Sequence, residues 1–116
     1  MNKKIVVLDG ETLGSIDIER LKELGEVFYY DHTEYSEVKD RVKKANIILT
    51  NKVILDRRNL NETENLEFIA EMATGFNNID IEYAKERGIA VSNVAGYSTN
   101  AVVQHTFAAT LSLLDE

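Results

Sequence analysis

Cysteine is absent from the 116 residues, which excludes a disulfide framework, a thiolate zinc cluster and a thiol nucleophile. Proline is absent too, where average usage would supply roughly 5%, and the sequence offers no functional reason for it. A basic excess is lacking: thirteen Lys and Arg stand against twenty Asp and Glu, a net charge of −7. Nucleic acid and anionic membrane both require a basic footprint, so neither is expected as the main partner. Long apolar runs are missing as well. "MNKKIVVLD" places two lysines before a short apolar run, too short for a signal-peptide core or a bilayer span. The expected setting is the cytoplasm. What remains is 44% hydrophobic and 28% charged, an ordinary globular composition of a length suited to one domain.

Apolar runs alternate with helical patterns along the chain. "KIVVLD" (4–9), "EVFYYD" (26–31), "NIILT" (46–50), "LEFIAEMA" (66–73) and "IAVSN" (89–93) read as strands. The first is nearly continuous in apolar residues, as expected of a strand buried on both faces. Between them, Ile18, Leu21 and Leu24 fall at helical spacing ahead of Gly25, and Tyr35, Val38 and Val42 mark a second helix over 34–45. Residues 53–65 suggest one or two turns of helix with Leu55 and Leu60 inward, and 80–88 a short helix with Asp80 as N-cap and Gly88 just past its end. A last helix spans 98–114, capped by Ser98 or Asn100. Five strands alternating with helices predict an α/β fold: a flavodoxin-like, doubly wound, five-stranded parallel sheet in three α/β/α layers. The last helix is apolar on nearly every side, so it is expected to bury more than one face. A wide core-facing helix satisfies that pattern, and so does a helix between this domain and a second body. Self-association through 98–114 follows from the second reading.

At "EMATGFNNIDI" (71–81) a strand gives way to Thr74-Gly75, two turn-forming amides and a helix start. In an open α/β sheet this is ligand-binding ground. Gly75 leaves backbone N–H groups approachable, and successive N–H groups at such a turn make an anion site. A turn glycine required by backbone geometry alone is the plainer reading. Asn77 and Asn78 are expected to shape the turn. Lys52 and Asn51 leave the third strand at the same edge, where the lysine either leans over the cleft toward a carboxylate or simply remains solvated.

The segment "ATGFNNIDIEYAKERGIAVSNVAGYSTNAVVQHTFAATL" resembles the N-terminal, substrate-binding domain of the D-isomer-specific 2-hydroxyacid dehydrogenases. It is most similar to the glycerate dehydrogenase (hydroxypyruvate reductase) and D-lactate dehydrogenase branches. The resemblance implies a flavodoxin-like domain packed on a separate Rossmann domain that carries NAD(P) and the catalytic Arg, Glu and His. No G-x-G-x-x-G occurs in the 116 residues, so no cofactor site is expected in this chain, and the resemblance implies no catalytic residue in it either. The expectation is a single domain, 1–116, forming the isolated substrate-binding half of a dehydrogenase and inactive alone. A stand-alone binding or self-associating module is the alternative.

By the same resemblance, the amides of Thr74 and Gly75 hold the carboxylate of a small 2-oxo or 2-hydroxy acid. Tyr97 reaches that carboxylate through its hydroxyl, or else packs at a domain edge. His105 is read as structural and His32 as exposed in a polar turn. Ala95 stands where the family often has proline, leaving that loop less rigid.

Two rivals share the architecture. A receiver domain needs an Asp ending strand three and a Lys ending strand five, where this chain has Thr50-Asn51 and Ser92-Asn93, although Asp9 and Glu11 follow strand one. A flavodoxin would cradle a flavin phosphate in "DGETLGS", using Gly10, Thr12, Gly14 and Ser15.

Overall fold

The computed structural model describes residues 3–12, 18–72 and 77–93. The apolar runs become β1 (Lys3–Val7), β2 (Gly25–Tyr29), β3 (Ile47–Thr50), β4 (Phe68–Glu71) and β5 (Ala90–Asn93). They form one parallel sheet in the order β2-β1-β3-β4-β5, the flavodoxin-like arrangement expected above. Each strand is a residue or more shorter than its apolar run. Leu8, after β1, and Leu66, before β4, are buried without belonging to a strand.

Successive strand residues point to opposite faces, so each continuous apolar run supplies two cores. Val6, Leu8, Ile48 and Ile69 pack on one face with α2 (Tyr35–Val42), α3 (Arg57–Leu60) and α4 (Ile81–Glu86), through Val38, Val42, Leu60, Tyr83 and Ala84. Ile5, Val7, Ile47, Leu49, Phe68 and Ala70 form the other face, where α1 (Ile18–Lys22) adds Leu21 and half-buried Ile18. The weak segment after β3 does contain a short helix, and Leu55 and Leu60 are fully buried as expected. Its N-cap is Asp56, whose carboxylate accepts from the Arg58 and Asn59 amides. Asp80 caps α4 by accepting from the Tyr83 amide at 3.0 Å.

Two glycines matter for different reasons. Gly88 ends α4 at φ 71°, a left-handed conformation that an L side chain adopts at a cost. Gly25 follows α1 as the helix pattern suggested, but it opens β2, and a Cβ there would collide with the Lys3 carbonyl oxygen across the strand pair. Close approach to β1, rather than a helix stop, demands the glycine. The predicted helix 98–114 lies outside the described residues.

Candidate functional site

The strand order reverses between β1 and β3: the chain steps outward to β2, then returns past β1. Open α/β sheets bind ligands outside the carboxyl ends at such a switch point. The residues leaving these two strands are Asp9 on one side and Thr50-Asn51-Lys52 on the other.

Asp9 is only 3% exposed, which is rare for a carboxylate unless it is well bonded. Its oxygens accept from the Thr50 hydroxyl at 3.1 Å, the Asn51 amide at 3.0 Å and the Lys52 amide at 2.7 Å. The Asn51 side chain reaches the Thr12 carbonyl at 3.4 Å. Above this floor opens a cleft of about 360 Å³ lined by Asp9, Thr12, His32, Tyr35, Lys52 and Ile54 among others. Lys52 and Ile54 are exposed there.

The cleft rim is built from charge pairs. His32 sets Nε2 2.9 Å from Glu34 and Nδ1 3.4 Å from Glu11. The hydrogen bond to Glu34 and its charge raise the imidazole pKa above its ordinary value, with Glu11 adding a smaller push. The reading of His32 as a merely exposed turn residue is therefore incomplete: its ring bridges the turn after β1 and the entry to α2. The Tyr35 hydroxyl donates to Asp56 at 2.8 Å, and that bond raises the phenol pKa.

The stretch after β3 is also tied to the stretch after β4. Met72 N–H donates to the Thr50 carbonyl at 2.8 Å. On the far side of residues 73–76, the Asn78 side-chain amide donates to the Val53 carbonyl at 2.8 Å, and the Leu55 amide donates to the Asn78 carbonyl at 2.7 Å. Asn78 is thus a structural turn residue, as expected, and Asn77 is exposed. Glu71, the last residue of β4, is fully buried opposite Thr50.

Asn51 and Lys52 are accordingly placed at one edge, beside the switch-point cleft. Thr74, Gly75 and Tyr97 lie outside the described residues, as do Ser98 and His105. Asp9 had no assigned role in the dehydrogenase reading of the sequence. The available signal was an acid closing an otherwise apolar buried strand, "KIVVLD". In the first loop, the Gly10, Glu11 and Thr12 amides donate to the Tyr30, Asp31 and Asp9 carbonyls. The amides of Gly10 and Thr12, two of the four residues the flavodoxin rival would use, are thus bonded within the protein, while Gly14 and Ser15 lie outside the described residues.

A larger concavity, about 590 Å³, opens at the opposite edge beside Lys3, Lys4 and Lys44. Acids Glu64 and Glu67 share it, and Lys3 is bonded to Glu67 at 2.6 Å. It sits at the amino ends of the strands, where this topology does not place ligands. Among the described residues, no group of three His, Asp or Glu is arranged to hold a metal ion, and no helix is long and apolar enough to cross a membrane.

Sheet order and strand direction define a flavodoxin-like α/β domain with a cleft and a buried carboxylate at its switch point. The profile of the D-isomer specific 2-hydroxyacid dehydrogenase catalytic domain matches residues 5–114, and the chain belongs to that family. It is 40% identical over 115 residues to a hydroxypyruvate reductase of Blautia hydrogenotrophica, covering 95% of this chain and 36% of that protein. A putative 2-hydroxyacid dehydrogenase of Haemophilus influenzae is 46% identical over 84 residues, 72% of this chain and 27% of that protein. Among solved structures, D-lactate dehydrogenase from Aquifex aeolicus, complexed with NAD and lactic acid, superposes with a TM-score of 0.67. It is 28% identical, with 95% of this chain and 33% of that chain covered. The chain thus spans about a third of the length of the relatives it matches.

Proposed function

We propose that residues 1–116 are the substrate-binding domain of an NAD(P)-dependent D-2-hydroxyacid dehydrogenase of the glycerate dehydrogenase or hydroxypyruvate reductase type. The observation that carries the reading is the polar edge beyond β3 and β4, in a chain belonging to this family, with Lys52 at the rim of the switch-point cleft. The substrate is a small 2-oxo or 2-hydroxy acid. Its carboxylate sits against the amides of Thr74 and Gly75, drawn by the Lys52 ammonium, with Asn51 and the Tyr97 hydroxyl as further donors. Two described anchors support bringing Thr74-Gly75 to Lys52: Met72 bonds Thr50 before these residues, and Asn78 bonds Val53 after them.

The chemistry divides between two bodies. Bound nicotinamide would supply or accept hydride, and this chain supplies binding and orientation. Fixing the carboxylate at one edge orients the adjacent 2-carbon, the kind of positioning that converts an encounter into a reactive geometry. The cofactor partner is a Rossmann domain carrying the glycine-rich loop and the catalytic residues, so this chain by itself transfers no hydride. The setting is cytoplasmic, and residues 98–114 mediate contact with that partner or a second copy.

The test is a titration of the isotope-labelled chain with hydroxypyruvate, followed by amide chemical shifts, with hydroxyacetone as the neutral control. Shifts at Asn51, Lys52 and residues 74–75 are expected with the acid alone. Absence of binding, or shifts confined to Lys3, Lys4 and Lys44, would overturn the reading. So would NADH oxidation by the chain alone with hydroxypyruvate.

A further inference from the structure

We propose that Asp9 is a positioning residue for carboxylate recognition, its buried side chain fixing the turn that aims Lys52 into the cleft. The inference rests on the reading above, that Lys52 meets the substrate carboxylate.

Three observations carry it. Asp9 is nearly buried, and its donors come from three consecutive residues, Thr50, Asn51 and Lys52. Both oxygens are used: Oδ1 takes the Thr50 hydroxyl and the Asn51 amide, while Oδ2 takes the Lys52 amide and, at 3.3 Å, the Asn51 amide again. The far end of the same stretch is held separately, by Asn78 on Val53 and Leu55. Residues 51–55 are therefore suspended between β1 and the segment after β4, with exposed Lys52 near the Asp9 anchor.

A buried carboxylate is costly to desolvate, and a neutral side chain of similar shape could have filled the space at lower cost. What a neutral side chain cannot do is accept from two successive backbone amides on two oxygens. An asparagine offers one oxygen and turns an NH2 toward an amide N–H, setting donor against donor. The turn would have to rotate, carrying Lys52 with it. Backbone amides bonded to a carboxylate also have their positive ends occupied, so at this turn the substrate anion is left to the Lys52 and Asn51 side chains.

The measurement is hydroxypyruvate affinity for the wild-type chain, Asp9→Asn, Lys52→Met and the double variant. Each single change should raise Kd about tenfold, a loss typical of a charge-assisted contact. The double variant should be no weaker than Lys52→Met, because the carboxylate acts through the lysine. Additive losses would assign Asp9 a general structural role and overturn the proposal, as would unchanged affinity in Asp9→Asn. If the wild-type chain does not bind the acid at all, the reading of Lys52 fails instead.

A second measurement needs no variant. Couplings across the hydrogen bonds from the Asn51 and Lys52 amides to the Asp9 side-chain carbon are expected in the wild-type chain. Their absence would overturn the anchoring whatever the binding result. This readout also serves if Asp9→Asn does not fold.

Discussion

Thr50→Val isolates the polar contribution at the carboxyl edge of the sheet. Thr50 is fully buried; its hydroxyl donates to Asp9 at 3.1 Å and accepts from the Val53 amide at 3.3 Å. Valine keeps the branched shape, so the cavity contribution is small. Losing a hydrogen bond to a charged acceptor costs about 1.5–3 kcal/mol, and leaving the Val53 N–H without its partner adds roughly 1 kcal/mol. The extra methyl in an apolar environment returns about 0.8 kcal/mol. The net expectation is a destabilisation of about 2–3 kcal/mol. Urea unfolding followed by circular dichroism, with an unchanged m value, measures it. Burial reasoning alone predicts the opposite sign, since a fully buried, β-branched apolar residue suits a strand. Thr50→Val at or above wild-type stability would therefore refute the hydrogen-bond account of this edge.

Three further outcomes are expected. Gly25→Ala should destabilise by about 1–3 kcal/mol, because the new Cβ meets the Lys3 backbone, which can move only with β1; denaturant unfolding indistinguishable from wild type would contradict the strand register. Gly88→Ala should cost roughly 1–2 kcal/mol from φ alone, since nothing lies within contact of a Cβ there; no change in unfolding midpoint would contradict the left-handed cap. His32 should titrate with a midpoint above about 6.5 by proton resonance, and Glu34→Gln should lower it. Because the folded value is the raised one, the contribution of His32 to the rim is complete below about pH 6.5 and fades as pH rises through the folded midpoint. A midpoint at or below the ordinary value would remove the Glu11–His32–Glu34 bridge.

The architecture was legible because five continuous apolar runs alternate with helical spacing, a pattern that buried parallel strands impose. Asp80 and Gly88 were legible for local reasons: an N-cap and a left-handed residue after a helix each have a recognisable residue preference. Gly25 was placed correctly but for the wrong cause, since contact with Lys3 is set by strand pairing and leaves no local trace. The α3 cap at Asp56 was missed for a similar reason: a four-residue helix shows almost no periodicity. Asn51 and Lys52 could be placed at the carboxyl edge of the sheet from strand order alone. The Asp9 anchor could not, because its partners lie more than forty residues away and nothing local distinguishes it from an acid ending a strand. The bridged state of His32 likewise depends on Glu11, brought near by the pairing of β1 with β2.

The most direct test is the crystal structure of this chain with hydroxypyruvate bound. The carboxylate is predicted within hydrogen-bond distance of the Lys52 ammonium and the Thr74-Gly75 amides, with Asp9 still bonded to the Asn51 and Lys52 amides beneath it. A carboxylate seated instead among Lys3, Lys4 and Lys44 at the amino edge would contradict the account.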